Sequence, residues 1–207
     1  MAEDILLFGG SFDPVHNGHL IVSRFIAEKL GIARVILIPA ASPPHKPPTH
    51  ANSRQRLEML RLAVEGQKLF EIDPLELDRT GPSYTFDTIN QLRPKHGAAR
   101  FNWIIGADML ADLPKWHRVN ELLEIVNFVI ACRSPITQKI GEILRELETS
   151  FNPEQVEQLK ASLVETPVID ISSSQIRSRS AQGLPISFLL PPAVEKYIAT
   201  QGLYKIS

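Results

Sequence analysis

The chain has 207 residues, enough for one sizeable hydrophobic core and short for two. Its 22 basic residues balance 23 acidic ones, without the basic excess expected of a dedicated nucleic-acid binder, so any phosphate binding must rest on local groups. No apolar run approaches the ~20 residues of a membrane span, and the single cysteine, Cys132, supplies neither an internal disulfide nor a cysteine metal site.

The acidic start, Met1 to Asp4, leads straight into the apolar run 5–8, which reads as a strand buried on both faces of a parallel sheet. This start carries no targeting pattern, so a cytoplasmic protein is expected. Next comes Gly9-Gly10-Ser11-Phe12-Asp13-Pro14-Val15-His16-Asn17-Gly18-His19. Gly9 and Gly10 suggest backbone angles that a side chain would forbid, and Gly18 suggests close approach of a ligand to a helix start. That helix is predicted over 18–30 from its apolar period, with Gly31 to end it. His16 and His19, three apart in the first turn, can face one phosphate group, where the unpaired amides of a helix start also favour an anion.

Further strands are expected at 35–38, 69–72, 102–105, 128–131 and 168–169, and helices at 53–64, 85–92, 153–163 and 192–201. The alternation predicts a doubly wound, mainly parallel α/β sheet with helices on both faces, in one domain over 1–207, with ligands outside the carboxyl ends of the strands. Pro43-Pro44-His45-Lys46-Pro47-Pro48 reads as a stiff exposed loop whose His45 and Lys46 project from the active edge of the sheet. Cys132 reads as a buried thiol at a strand end. Near the C-terminus, Ile171-Ser172-Ser173-Ser174-Gln175-Ile176-Arg177 reads as a serine-capped helix start. Helical side chains lean toward the N-terminus, so Arg177 can converge with Ser173, Ser174 and the free amides on a di- or triphosphate.

The first signature, closed by His16-Asn17-Gly18-His19, resembles the nucleotidylyltransferase superfamily, and a related element occurs in class I aminoacyl-tRNA synthetases. The second separates the two, because it is similar to the Ile-Ser-Ser-Thr-x-Ile-Arg element of adenylyltransferases, with Ser174 where threonine is usual. Between them, Pro82-Ser83-Tyr84-Thr85 and Gly106-Ala107-Asp108 with Leu113-Pro114-Lys115-Trp116 resemble the acceptor pocket of bacterial nicotinate-nucleotide adenylyltransferases. The resemblance extends over essentially the whole chain.

It implies a Rossmann-like fold and adenylyl transfer from ATP to nicotinate mononucleotide, with Mg²⁺ held mainly by the ATP phosphates and no dedicated protein cage. His16, His19 and Arg177 are then catalytic. ATP is met by Gly9, Gly10, Ser11, Phe12, His16, Gly18, His19, Gly106, Asp108, Arg133, Ser173, Ser174 and Arg177. The acceptor is met by His45, Lys46, the amides around Tyr84 and Thr85, and a stacking Trp116. Nicotinamide mononucleotide or phosphopantetheine as acceptor, and a non-catalytic nucleotide-binding regulator, stand as alternatives, and a homo-oligomer is left open. Neither nucleic acid nor membrane is expected as a partner.

Overall fold

The computed structural model describes residues 2–42, 48–132 and 138–205. Six strands form one fully parallel sheet in the order β3-β2-β1-β4-β5-β6. They are β1 (Asp4–Gly10), β2 (Val35–Pro39), β3 (Phe70–Ile72), β4 (Arg100–Gly106), β5 (Asn127–Cys132) and β6 (Leu163–Glu165). The order reverses between β1 and β4, paired from Asp4 with Arg100 to Leu7 with Trp103. Beyond that step the two strands diverge at their carboxyl ends and open a crevice.

The strand side chains alternate between two cores. Ile5, Leu7, Ile36, Ile38, Trp103 and Ile105 face one layer, and Leu6, Val35, Leu37, Ile104 and Val129 face the other. Covering the first layer are α3 (Thr85–His96), α4 (Val119–Ile125), α5 (Gln138–Leu147) and α6 (Pro153–Ala161). The second is covered by α1 (Asn17–Leu30), α2 (Ser53–Val64), α7 (Ser173–Ala181) and α8 (Pro192–Gln201). Gly31 ends α1 in the left-handed conformation, φ 68°, and its N–H caps the carbonyls of Ala27 and Glu28. None of the described helices is long and apolar enough to cross a membrane.

Most expected elements are present, with shifted ends, and the last strand is displaced. Residues 168–169 are not a strand. The edge strand is Leu163–Glu165, paired with Ile130 to Cys132, and it takes the end of the expected helix 153–163, which stops at Ala161. Val164 is buried in the core while Val168 is 74% exposed, and Pro167 between them has no N–H to give a ladder. The expected helix 85–92 continues to His96 with Pro94 inside it, although proline has no N–H to give the ladder, and the Gly97 N–H closes its end on the Arg93 carbonyl. A 3₁₀ segment, Ala107–Lys115, and α4 follow β4, where no element was expected.

Candidate active site

A cavity of about 420 Å³ lies at the carboxyl ends of β1, β4 and β5, in the crevice where the strand order reverses. Its floor is Phe8, Gly9, Gly10, Ile104, Ile105, Gly106 and Ala131. Three helix starts border it, those of α1, α3 and α7, each presenting the amides that have no partner within a helix.

At the α1 end, His16 is the N-cap residue and is buried, and the His19 ring stacks on it with centroids 3.6 Å apart and planes 22° apart. The His16 backbone N–H donates to His19 Nδ1 at 3.2 Å. An Nδ1 that accepts leaves Nε2 to carry the ring proton in neutral imidazole, so this bond sets the tautomer. Edge contacts from Phe8 and Phe12, at 5.8 and 5.1 Å, hold the His19 ring from the side.

The glycines before them work differently from the sequence expectation. Gly9 and Gly10 are the last residues of β1 and neither has a positive φ. A Cβ on Gly9 would lie 2.5 Å from Cζ2 of Trp103, and one on Gly10 would meet the Phe12 ring at 3.2 Å. The Trp103 ring, not an unusual backbone, calls for glycine at position 9, and the Phe12 ring crowds position 10. The left-handed residue of this loop is Phe12, φ 48°, whose side chain is buried in the core rather than in the cavity.

Asp13 ties the loop to the rest of the molecule. Its buried carboxylate accepts the backbone N–H of His50 (2.8 Å) and Ala51 (3.0 Å) and the Tyr204 hydroxyl (2.8 Å). Burial and the adjacent Asp13 push the Tyr204 hydroxyl far above its ordinary pKa, so it stays protonated and can donate to that carboxylate. Arg56, fully buried, donates to the Ser11 carbonyl at 2.6 Å. Burial lowers the Arg56 pKa, while Asp13 and then Tyr204 act against that shift.

The start of α7 is joined to the same loop. Ser172 caps the helix, accepting from the Gln175 N–H at 3.2 Å, and Ser173 Oγ donates to the Pro14 carbonyl at 2.8 Å. Arg177 reaches back one turn as expected, with Nη2 on Ser174 Oγ at 3.3 Å. Its Nη1 goes to the Asp13 carbonyl at 2.7 Å. Two sequence signatures separated by more than half the chain thus meet as one structure.

At the α3 end, Tyr84, Thr85, Ser83, Glu76, Trp116 and His117 line the cavity. The Tyr84 N–H is engaged by the Pro82 carbonyl at 3.0 Å, so the amides offered by this helix start begin at Thr85. Trp116 stands edge-on to Phe128, centroids 6.0 Å apart, and its buried indole N–H has no acceptor among the described residues. Glu76 is only 4% exposed and receives the Thr88 hydroxyl at 2.5 Å. Burial pushes its carboxyl above the usual range, against the bonds from Thr88 and Ser83 and the charge of Arg79.

Of the residues expected at the site, Gly9, Gly10, Ser11, His16, Gly18, His19, Tyr84, Thr85, Gly106, Asp108, Trp116 and Ser173 border the cavity. Phe12, Ser174 and Arg177 do not, though the last two stand beside it on α7. His45, Lys46 and Arg133 lie outside the described residues. Cys132 is buried at the end of β5, where burial raises its thiol pKa. Sequence reasoning missed Glu76 and His117 as cavity residues and Asp13 and Arg56 as supports of the loop. Asp13 stands inside the first motif and Glu76 a few residues before Pro82-Ser83-Tyr84-Thr85, and only their burial and partners, invisible in a sequence, single them out.

The family model described as cytidylyltransferase-like matches residues 7–179. A protein of Yersinia enterocolitica named "Probable nicotinate-nucleotide adenylyltransferase" is 41% identical, covering 96% of this chain and 94% of its own. One of the same name from Bacillus pumilus is 38% identical, covering 98% and 99%. Among solved structures, the Plasmodium falciparum nicotinic acid mononucleotide adenylyltransferase complexed with NaAD superposes with a TM-score of 0.75 at 20% identity, covering 98% of this chain and 97% of its own.

Proposed function

The chain belongs to the cytidylyltransferase-like family and within it to the nicotinate-nucleotide adenylyltransferases, and from that premise we propose how its cavity performs the transfer. The enzyme moves the adenylyl group of ATP to the 5′-phosphate of nicotinate mononucleotide, releasing pyrophosphate and forming nicotinate adenine dinucleotide. The observation that carries this reading is the cavity with a helix start at each end, α1 and α7 joined at one and α3 at the other. Such a space suits a substrate pair with a polyphosphate at one end and a carboxylate at the other.

The attacking group is a phosphate oxygen, already ionised near neutral pH, so the chain needs no general base. What it must supply is alignment of two anions and stabilisation of charge on the α-phosphoryl group and on leaving pyrophosphate. His19, whose Nδ1 accepts from its own helix cap, directs Nε2–H as a donor toward the α-phosphoryl oxygens, and His16 beneath it fixes the ring. Ser173, Ser174 and Arg177 receive the β and γ phosphates, and Arg177 exchanges its bond to the Asp13 carbonyl for phosphate contact. Gly106 and Asp108 take the ribose, and Arg133 a phosphate.

At the other end, the Thr85 amide and its helix dipole hold the nicotinate carboxylate, and Trp116 stacks on the pyridine ring. His45 and Lys46 serve the acceptor phosphate. Among the described residues no three His, Cys, Asp or Glu side chains gather. In this reading the ATP phosphates and water would hold Mg²⁺, and its chemistry would be to neutralise charge on the leaving group. The test is pyrophosphate release with ATP and Mg²⁺, comparing nicotinate mononucleotide, nicotinamide mononucleotide and phosphopantetheine. Turnover with the nicotinate form at least ~100-fold above the others, about 2.7 kcal/mol in transition-state binding, is expected. Absence of turnover with all three in folded protein overturns the reading.

A further inference from the structure

We propose that Glu76 is a specificity-determining residue that makes recognition of the acceptor proton-linked: it takes up a proton from solvent when a carboxylate enters the cavity beside it, and none when a neutral amide does. The proposal deepens the acceptor reading above and rests on it.

Glu76 lines the end of the cavity bordered by Ser83, Tyr84, Thr85 and Trp116, yet is 4% exposed. An ionised carboxylate there repels a second one strongly, because little water separates them. Its hydrogen-bond partners allow either protonation state. The Thr88 hydroxyl has one proton and two acceptors in reach, Glu76 Oε1 at 2.5 Å and the Tyr84 carbonyl at 3.1 Å. When Glu76 is ionised, the Thr88 proton goes to it. When Glu76 is neutral, its own O–H donates to Thr88 Oγ1 and the Thr88 proton goes to the Tyr84 carbonyl. Neither arrangement leaves Glu76 or the Thr88 hydroxyl without a partner, which lowers the usual penalty for adding a proton to a buried network.

Ser83 extends the arrangement. Its Oγ accepts the N–H groups of Ala41 (3.0 Å) and Ser42 (3.2 Å), so its own proton points away from them, and Ser83 favours the ionised form of Glu76. The charged groups around it are few. Arg79, on the loop that carries Glu76, bonds Thr88 Oγ1 at 3.4 Å and attracts the carboxylate. From beyond the 3₁₀ segment, His117 stacks on Tyr84 with centroids 4.4 Å apart. Arg118 lies over Phe86 at 3.9 Å and is paired with Glu121, and Asp108 borders the cavity from the end of β4. Burial already biases Glu76 toward its neutral form, and an incoming anion adds to that bias.

The affinity for nicotinate mononucleotide is then highest at low pH and falls as pH rises toward the pKa of Glu76 in the complex, by at most tenfold per pH unit for one linked proton. Nicotinamide mononucleotide carries the same titrating phosphate and serves as the control. The experiment is calorimetric titration of the wild-type protein with each acceptor, in buffers of different ionisation heat, between about pH 5 and 8. The expected result is a fraction of a proton taken up with the nicotinate form in excess of the nicotinamide form. That excess disappears in Glu76→Gln, which still binds, and survives in His117→Gln. Equal uptake for the two acceptors by the wild type, or an excess that persists in Glu76→Gln, overturns the proposal and leaves the acceptor reading standing. Failure of folded wild-type protein to bind nicotinate mononucleotide overturns both.

Discussion

His19 owes its orientation to a backbone N–H, and that has a kinetic consequence. Replacing it with Ala removes the donor we propose for the charge growing on the phosphoryl group, so His19→Ala should lower kcat by about 10²–10³-fold with acceptor KM little changed. Steady-state kinetics checks this, and equal loss in binding and turnover would remove His19 from its assigned place. Trp116→Ala should behave in the opposite sense, raising acceptor KM about tenfold with a smaller effect on kcat, because a stacking face is used in ground and transition state alike. Glu76 makes a prediction about stability as well as binding. Its folded pKa is raised, so its contribution is fully present below the unfolded carboxylate range and is lost as pH rises through the folded value. Glu76→Gln should therefore gain Tm relative to wild type at pH 8 and show little difference near pH 4, as thermal unfolding at the two pH values will report.

Among the elements, β1 and the loop after it were the most legible. An apolar run, two glycines and a helix period in succession leave little choice of local structure. The reason for the glycines was not legible, because it lies in Trp103 on a neighbouring strand that sequence spacing does not reveal. Gly9→Ala should cost about 1–3 kcal/mol by overpacking against that ring, measured by the denaturant midpoint. The loss should shrink in the background Trp103→Phe, which lacks the colliding atoms. The end of β5 and the sheet edge show the opposite failing. Val168 and Ile169 have the composition of a strand, but Pro167 and the demand for pairing beside β5 gave that role to Leu163–Glu165. Many of the motif residues could be placed beside the cavity because glycine turns and serine caps mark helix starts in a sequence. Glu76 and Asp13 were not, because a carboxylate's importance there depends on who donates to it.

At the scale of the whole molecule, the binding loop is held by groups from both halves of the chain. Asp13 receives His50, Ala51 and Tyr204, and Arg177 and Ser173 bond the carbonyls of Asp13 and Pro14. Tyr204→Phe leaves Asp13 short of a donor in a buried place and should cost about 1–3 kcal/mol, seen as a lower Tm, with ATP KM raised more than acceptor KM. Unchanged stability would show that Tyr204 is not needed to hold the loop.

The joining of α7 and Tyr204 to the first loop also bears on how the protein is made. Synthesis proceeds from the N-terminus, so all six strands emerge before the residues that complete the nucleotide end. A nascent chain halted after β6 has its sheet sequence in hand but neither Ser173, Arg177 nor Tyr204 against the loop. In the proposed function, capture of ATP is therefore a property the polypeptide acquires only once residue 204 has emerged, and ribosomes stalled before that point should carry chains blind to the nucleotide.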